Sequence, residues 1–138
     1  MKYIIDVNVI LDFLTKREGF YLQAKEVYLL SVYGVIEGCL TANMITDIYY
    51  ILQKYGKGDP KVEIKKLLQL SRVLPITSTD CVNALEIAGE DFEDNLIVAV
   101  GKKHKVNGII TRNGADFQDK NMIIYTPEEI LEKYSKGK

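Results

Sequence analysis

Along the chain, short β-prone apolar runs alternate with longer stretches whose hydrophobic residues recur at helical spacing. Residues 2–5, Lys-Tyr-Ile-Ile, end at Asp6, after which Val9, Ile10, Phe13 and Leu14 fall three and four residues apart. This predicts a strand followed by a helix. A second helix is predicted over 21–33, with Leu22, Val27, Leu29 and Leu30 as its apolar contacts and Gly34 as its stop, then a strand over 35–40. Met44, Ile45, Ile48, Ile51 and Leu52 give a helix over 43–55 that ends at Gly56. Asp59-Pro60 reads as a cap and first turn of another helix, reaching residue 70.

The second half repeats the alternation. A strand over 73–76 precedes a helix begun by Ser78 and Asp80 that carries Ala84, Leu85, Ile87 and Ala88 and ends at Gly89. A helix over 92–104, strands over 108–111 and 122–125, and a last helix opened by Thr126-Pro127-Glu128-Glu129 complete the chain. Strands separated by helices are joined by crossovers, so the expected class is α/β: three layers, α/β/α, around a mostly parallel sheet of four to five strands. In such a sheet ligands bind beyond the carboxyl ends of the strands, where neighbouring connections diverge.

Bulk properties narrow the chemistry. At 138 residues, 47% hydrophobic and 27% charged, the chain suits one globular domain spanning 1–138. A net charge of -1 gives no basic footprint, so a polyanionic partner has to be held locally. No stretch has the length of a membrane span or the form of a secretion signal, and a cytoplasmic protein is expected. Cys39 and Cys81 are isolated and read as small core residues. With His104 the only histidine, placed near a helix end, zinc ligation and Ser/His or Cys/His catalysis lack their parts. Any chemistry falls to carboxylates.

Four aspartates meet the positional rule. Asp6 closes the first strand and Asp116 follows the strand over 108–111, although a helix cap and a local turn explain each of them singly. Asp47 borders the apolar face made by Met44, Ile48 and Ile51, where a lone ionised carboxylate is costly without a cation or a polar cleft beside it; a solvated boundary position is the alternative. Asp91 reads as a helix cap, and Glu93 and Asp94 complement the helix dipole. Asp94 also precedes Ile97 and Val98, which places it over an inward-facing stripe. Two carboxylates about 4 Å apart repel by about 4 kcal/mol at an effective dielectric near 20, so a cluster of them calls for a cation or shared protons. Oxygen-only ligation suits Mg2+ or Mn2+, and such a site can hydrolyse a phosphodiester without histidine.

DVNVILDFL at Asp6, ITDIYYIL around Asp47, DFEDNLIVAV with Asp94 and ITRNGADF with Asp116 resemble, in order and spacing, the four acidic motifs of the PIN domain family, which includes the VapC toxins. The resemblance covers nearly the whole chain. It implies a divalent metal, usually magnesium or manganese, endonucleolytic cleavage of RNA, a homodimer, and among bacterial members a small antitoxin whose C-terminal segment occupies the acidic groove. It assigns Asp6, Asp94 and Asp116 to the metal and Asp47 to the metal or to a base that orients water. Asn8 supports Asp6, while Thr111 and Asn113 position the fourth motif or touch a phosphate. Arg112 is either a substrate contact or a solvated surface residue.

Three departures from the family pattern stand out. Val7 replaces the common threonine, Asp47 stands where glutamate is common, and phosphate contacts fall to Lys2, Lys16, Arg17, Lys102, Lys103 and Arg112. Tyr49 and Tyr50 read as packing residues rather than a base-stacking platform. The main rival reading is a catalytically weak or silent PIN-like module that binds RNA or protein. A receiver-type phosphoacceptor fits less well, because neither Leu40-Thr41 nor Ile110-Thr111 supplies the aspartate and lysine it needs.

Overall fold

The structure, a computed structural model, describes residues 1–118 and 120–135. Five strands, β1 (Lys2–Ile5), β2 (Glu37–Thr41), β3 (Arg72–Leu74), β4 (Gly108–Ile110) and β5 (Ile124–Tyr125), form one sheet in the order β3-β2-β1-β4-β5. Every neighbouring pair is parallel. The described helices are α1 (Val7–Leu14), α2 (Tyr21–Val32), α3 (Ala42–Tyr55), α4 (Pro60–Leu70), α5 (Ser78–Leu85), α6 (Phe92–Lys103) and α7 (Pro127–Ser135), with a 3-10 turn at Gly114–Phe117.

Strand β1 shows why the result has three layers. Tyr3, Ile4 and Ile5 are all buried, as a parallel strand covered on both faces requires. Successive side chains point to opposite faces, and two glycines mark the neighbours. A Cβ at Gly38 would meet Ile5 Cδ1 at 3.0 Å and Ser31 Oγ at 3.2 Å, which puts α2 over the Ile5 face. A Cβ at Gly101 would meet Ile4 Cδ1 at 3.3 Å, which puts α6 over the other face. Helix α2 packs with α1, α4 and α7, and α5 packs with α6.

Several boundaries differ from the sequence reading, each for a local reason. Strand β2 begins at Glu37, because Gly34 turns the chain at φ +74 and leaves Val35 44% exposed. Leu22 is 71% exposed, and α2 buries Ala24, Val27 and Tyr28 instead. Pro75 has no N–H to give the ladder, and β3 stops at Leu74. Thr77, rather than Ser78, caps α5 in a capping box with Asp80. That helix closes at Leu85 as Glu86 and Ile87 donate to carbonyls only three residues back, Asn83 and Ala84. Cys39 is buried, whereas Cys81 is only half-buried beside the small cluster of Ala84, Leu96 and Ala99.

Candidate active site

The strand order reverses around β1, so the ends of β1 and β4 form the crevice where such sheets take ligands. Asp6 leaves β1 there, its N–H donating to Ile110 O at 2.9 Å. Its carboxylate caps α1, accepting from Val7 N at 2.8 Å, and takes a second bond from Thr111 Oγ1 at 2.9 Å. The Thr111 hydroxyl in turn accepts from Asn8 Nδ2 at 3.1 Å and from Asn113 N at 3.1 Å. Asn8 Oδ1 accepts from Arg112 N at 3.2 Å, which joins α1 to the loop after β4. Asp6, Asn8, Thr111 and Asn113 therefore form one hydrogen-bonded unit, in which Asn113 takes part through its backbone.

Asp94 enters from the first turn of α6, where Asp91 caps the helix by accepting from Asp94 N at 3.1 Å. Asp116 is exposed on the 3-10 turn, its N–H donating to Asn113 O at 3.1 Å. A clamp that the sequence did not reveal binds these two segments together. Buried Lys120 donates through its amine to Asn95 Oδ1, and Asn95 Nδ2 donates to Gly89 O at 3.1 Å and Ile87 O at 3.3 Å. Gly89 is required here: its φ is +108, and a Cβ would sit 3.1 Å from the Lys120 amine.

The electrostatics follow from this placement. Burial pushes the Asp6 carboxyl up, the bonds from Thr111 and Val7 pull it down, and Asp116 pushes it up again. Asp94 is pushed up to about 6, by burial first and then by the charges of Asp91, Asp6 and Asp116. All the charges that shift it are carboxylates. Asp47, half-buried on α3, faces a different partner, Glu93. A hydrogen bond to Asp47 first, then burial and the charges of Asp47, Asp91 and Asp94, raise Glu93 to about 7. The sequence reading had given Glu93 only to the helix dipole; its position one residue before Asp94 was the available signal.

An all-oxygen donor set around an uncompensated negative charge fits a hard divalent cation. Among the described residues no three His, Cys, Asp or Glu side chains are gathered closely enough to hold an ion as they stand. Magnesium needs no such cage, since it keeps several waters and is usually bound through one or two carboxylates.

The expected phosphate contacts divide. Lys2 lies at the opposite end of β1, about 13 Å from the crevice, and its amine donates to His104 O at 2.7 Å. Lys102 and Lys103 lie at the far end of α6, Lys103 about 14 Å along the axis from Asp94 and paired with Asp80 at 2.7 Å. These three are remote from the acids. Arg112 is neither free nor a solvated surface residue. Its Nε and Nη2 grip the buried Asp12 carboxylate at 2.6 and 3.2 Å, and its guanidinium lies 4.1 Å from the Phe20 ring centroid. Asp12, 2% exposed, escaped the sequence reading because it sits inside an apolar helix.

Ribonuclease VapC1 of Aquifex aeolicus is 25% identical over 142 residues, covering 97% of this chain and 96% of that protein. A toxin-antitoxin complex from Klebsiella pneumoniae aligns with a TM-score of 0.69 at 19% identity, over 91% of this chain and 97% of the other. The sarcin-ricin loop cleaving toxin VapC20 of Mycobacterium tuberculosis aligns with a TM-score of 0.69 at 15% identity, over 88% and 96%. The two structures share the fold, and the PIN domain family model matches residues 2–115. With the sheet order, the acidic crevice and this match in agreement, the chain belongs to the PIN domain family.

Proposed function

We propose that this protein is a metal-dependent endoribonuclease that hydrolyses RNA phosphodiester bonds at the crevice between β1 and β4. The observation that carries the reading is the meeting of Asp6, Asp94 and Asp116 at the position where the fold binds ligands, close enough that the charges of Asp6 and Asp116 push the Asp94 carboxyl up. Asp6, Asp94 and Asp116 would hold Mg2+ or Mn2+, which supplies Lewis-acid stabilisation of phosphate charge and a more acidic bound water. Thr111, Val7 N–H and Asn8 orient Asp6. Glu93, raised to about 7 beside Asp47, lies near neutrality, where a general base works best, and accepts the proton of the attacking water. Relatives named as ribonuclease and as toxin-antitoxin complex support a toxin role with an antitoxin partner; in this reading the acting form is a homodimer and the small antitoxin covers the acids. The same reading places it in the cytoplasm. In the described residues no helix is long and apolar enough to cross a membrane.

A silent RNA- or protein-binding module is the second reading, favoured by the ungathered carboxylates. Incubating purified protein with RNA separates the two. Cleavage that requires Mg2+ or Mn2+ and stops with EDTA supports the nuclease, and metal-independent binding without cleavage supports the module.

A melting experiment tests the cation separately. A carboxyl raised in the folded state binds more protons there than when unfolded, so between its unfolded value and about 6 Asp94 makes stability fall as pH rises. Glu93 acts in the same direction. His104, pushed down chiefly by burial, acts with the opposite sign, so the comparison is made against Asp94→Asn. Going from pH 5 to pH 7.5 without metal, wild type is expected to lose a few degrees of Tm relative to that variant. Mn2+ restores the loss at pH 7.5. A difference that is flat with pH and indifferent to Mn2+ would refute the cation site.

A further inference from the structure

A second site lies at the outer end of α3, on the helix that carries Asp47. Leu14 and Leu52, both buried, floor a cavity of about 300 Å3 whose walls are Tyr55, Lys16, Lys57 and Glu63. Tyr55, one of the lining residues, is 72% exposed. One carboxylate oxygen of Glu63, Oε2, is buried and has no hydrogen-bond partner among the described residues. Such an oxygen is costly to leave unpaired, and the half-buried Glu63 side chain, which lines the cavity, can turn it toward a donor placed there. The route back to the acids is continuous. Lys54 lies 5.5 Å from the Tyr55 ring centroid and 5.7 Å from that of Tyr50, and Tyr50 is exposed three residues after Asp47. Tyr55 is about 12 Å from Asp47 along the helix axis, a span of a few nucleotides.

We propose that this cavity is a nucleobase subsite that selects guanine in a single-stranded stretch of the RNA substrate; the inference rests on the ribonuclease reading above. The ring of Tyr55 supplies a stacking face, as aromatic residues do in single-strand grooves, and Lys16, Lys54 and Lys57 hold the phosphates on either side. Tyr50 stacks a base between the cavity and the acids. Glu63 sets the choice of base. A carboxylate only accepts, and guanine presents two adjacent donors, N1–H and the N2 amine, on its Watson–Crick edge. Adenine and cytosine offer one amine beside an acceptor nitrogen, and uracil offers one N–H between two carbonyls. Each of these sets a lone pair against the carboxylate. Tyr50 thus belongs to a stacking surface and not to packing, while Tyr49 is half-buried against the core.

The test is fluorescence anisotropy of wild-type protein in EDTA, at one fixed salt concentration, with labelled uridine hexamers that carry a single guanosine, inosine or adenosine. Guanosine is expected to bind at least about fivefold tighter than adenosine, with inosine, which lacks the N2 amine, between them. Glu63→Gln is expected to bring the guanosine-to-adenosine ratio within about twofold, and Tyr55→Ala to weaken all three hexamers about fivefold or more. Equal binding of guanosine and adenosine by wild type overturns the proposal, as does a ratio unchanged in Glu63→Gln. Tyr55→Ala, on an exposed residue, keeps the test alive if Glu63→Gln fails to fold, and unchanged binding in that variant also overturns it. RNA cleavage by the same preparation in Mn2+ separates the two inferences. Cleavage without guanine preference removes this subsite alone, and no cleavage at all removes the ribonuclease on which it stands.

Discussion

Asp94→Asn is expected to lower metal-dependent RNA cleavage by on the order of 10³-fold while raising the Tm of the metal-free protein by a few degrees. The two effects share one cause. Asp94 is raised to about 6 because burial and three neighbouring carboxylates disfavour its charge, and the neutral amide relieves that repulsion. In the proposed cation site the amide would also remove a negative ligand. Loss of several kcal/mol of charge stabilisation, at 1.36 kcal/mol per factor of ten, gives the expected loss of rate. A rise in stability joined to a loss of activity marks a functional carboxylate rather than a structural one. Asp6→Asn is expected to cost as much activity without the gain in stability, because its carboxylate accepts from Val7 N–H and Thr111, and an amide nitrogen turned toward either would meet a donor. Initial cleavage rates in Mn2+ and melting curves in EDTA, on the same preparations, check both statements.

Arg112→Ala is expected to destabilise the fold by about 3 kcal/mol, lowering Tm by about 10 °C. The reason is Asp12, which is 2% exposed and is gripped by two guanidinium nitrogens. Removing the cation leaves a buried carboxylate without its partner, the costly half of such a pair. Arg112 is 24% exposed, so the reverse change, Asp12→Ala, leaves a cation that can turn to water and costs less. The bond from Arg112 N–H to Asn8 comes from the backbone and survives the substitution, so the loss reads the Asp12 pairing rather than the support of Asp6. Urea unfolding of the two single variants and of an Asp12→Leu, Arg112→Met pair measures the coupling. The pair is expected to recover most of the loss, because apolar replacements leave no buried charge.

The parts of this protein that the sequence revealed are those written in local patterns. The apolar run before Asp6, the Asp59-Pro60 start of α4 and the Thr126 to Glu129 box each depend on neighbours within a few residues. In the structure Asp59 accepts from Lys61 N at 3.0 Å, and Thr126 and Glu129 cap one another at 2.8 and 3.1 Å. The order of the acidic motifs was equally local. What stayed hidden joins distant segments. Asp12 meets Arg112 across 100 residues, Asn95 meets Lys120 across 25, and Glu93 meets Asp47 from another helix. Nothing in the composition of either partner marks such a pair. Misplaced lysines have the same origin, since Lys2 and Lys103 are close to the acidic motifs in sequence but at the opposite ends of β1 and α6 in space. Exposure is not written in the pattern either, which is why Leu22, at helical spacing with Val27 and Leu29, turns out 71% exposed.

The placement of the cation decides most of this. Crystals soaked in Mn2+ and measured at the manganese absorption edge test it directly. The expected result is an anomalous peak bounded by Asp6, Asp94 and Asp116, with their carboxylates drawn toward it. No peak in that crevice at saturating Mn2+, or a peak only at other carboxylates, would contradict it.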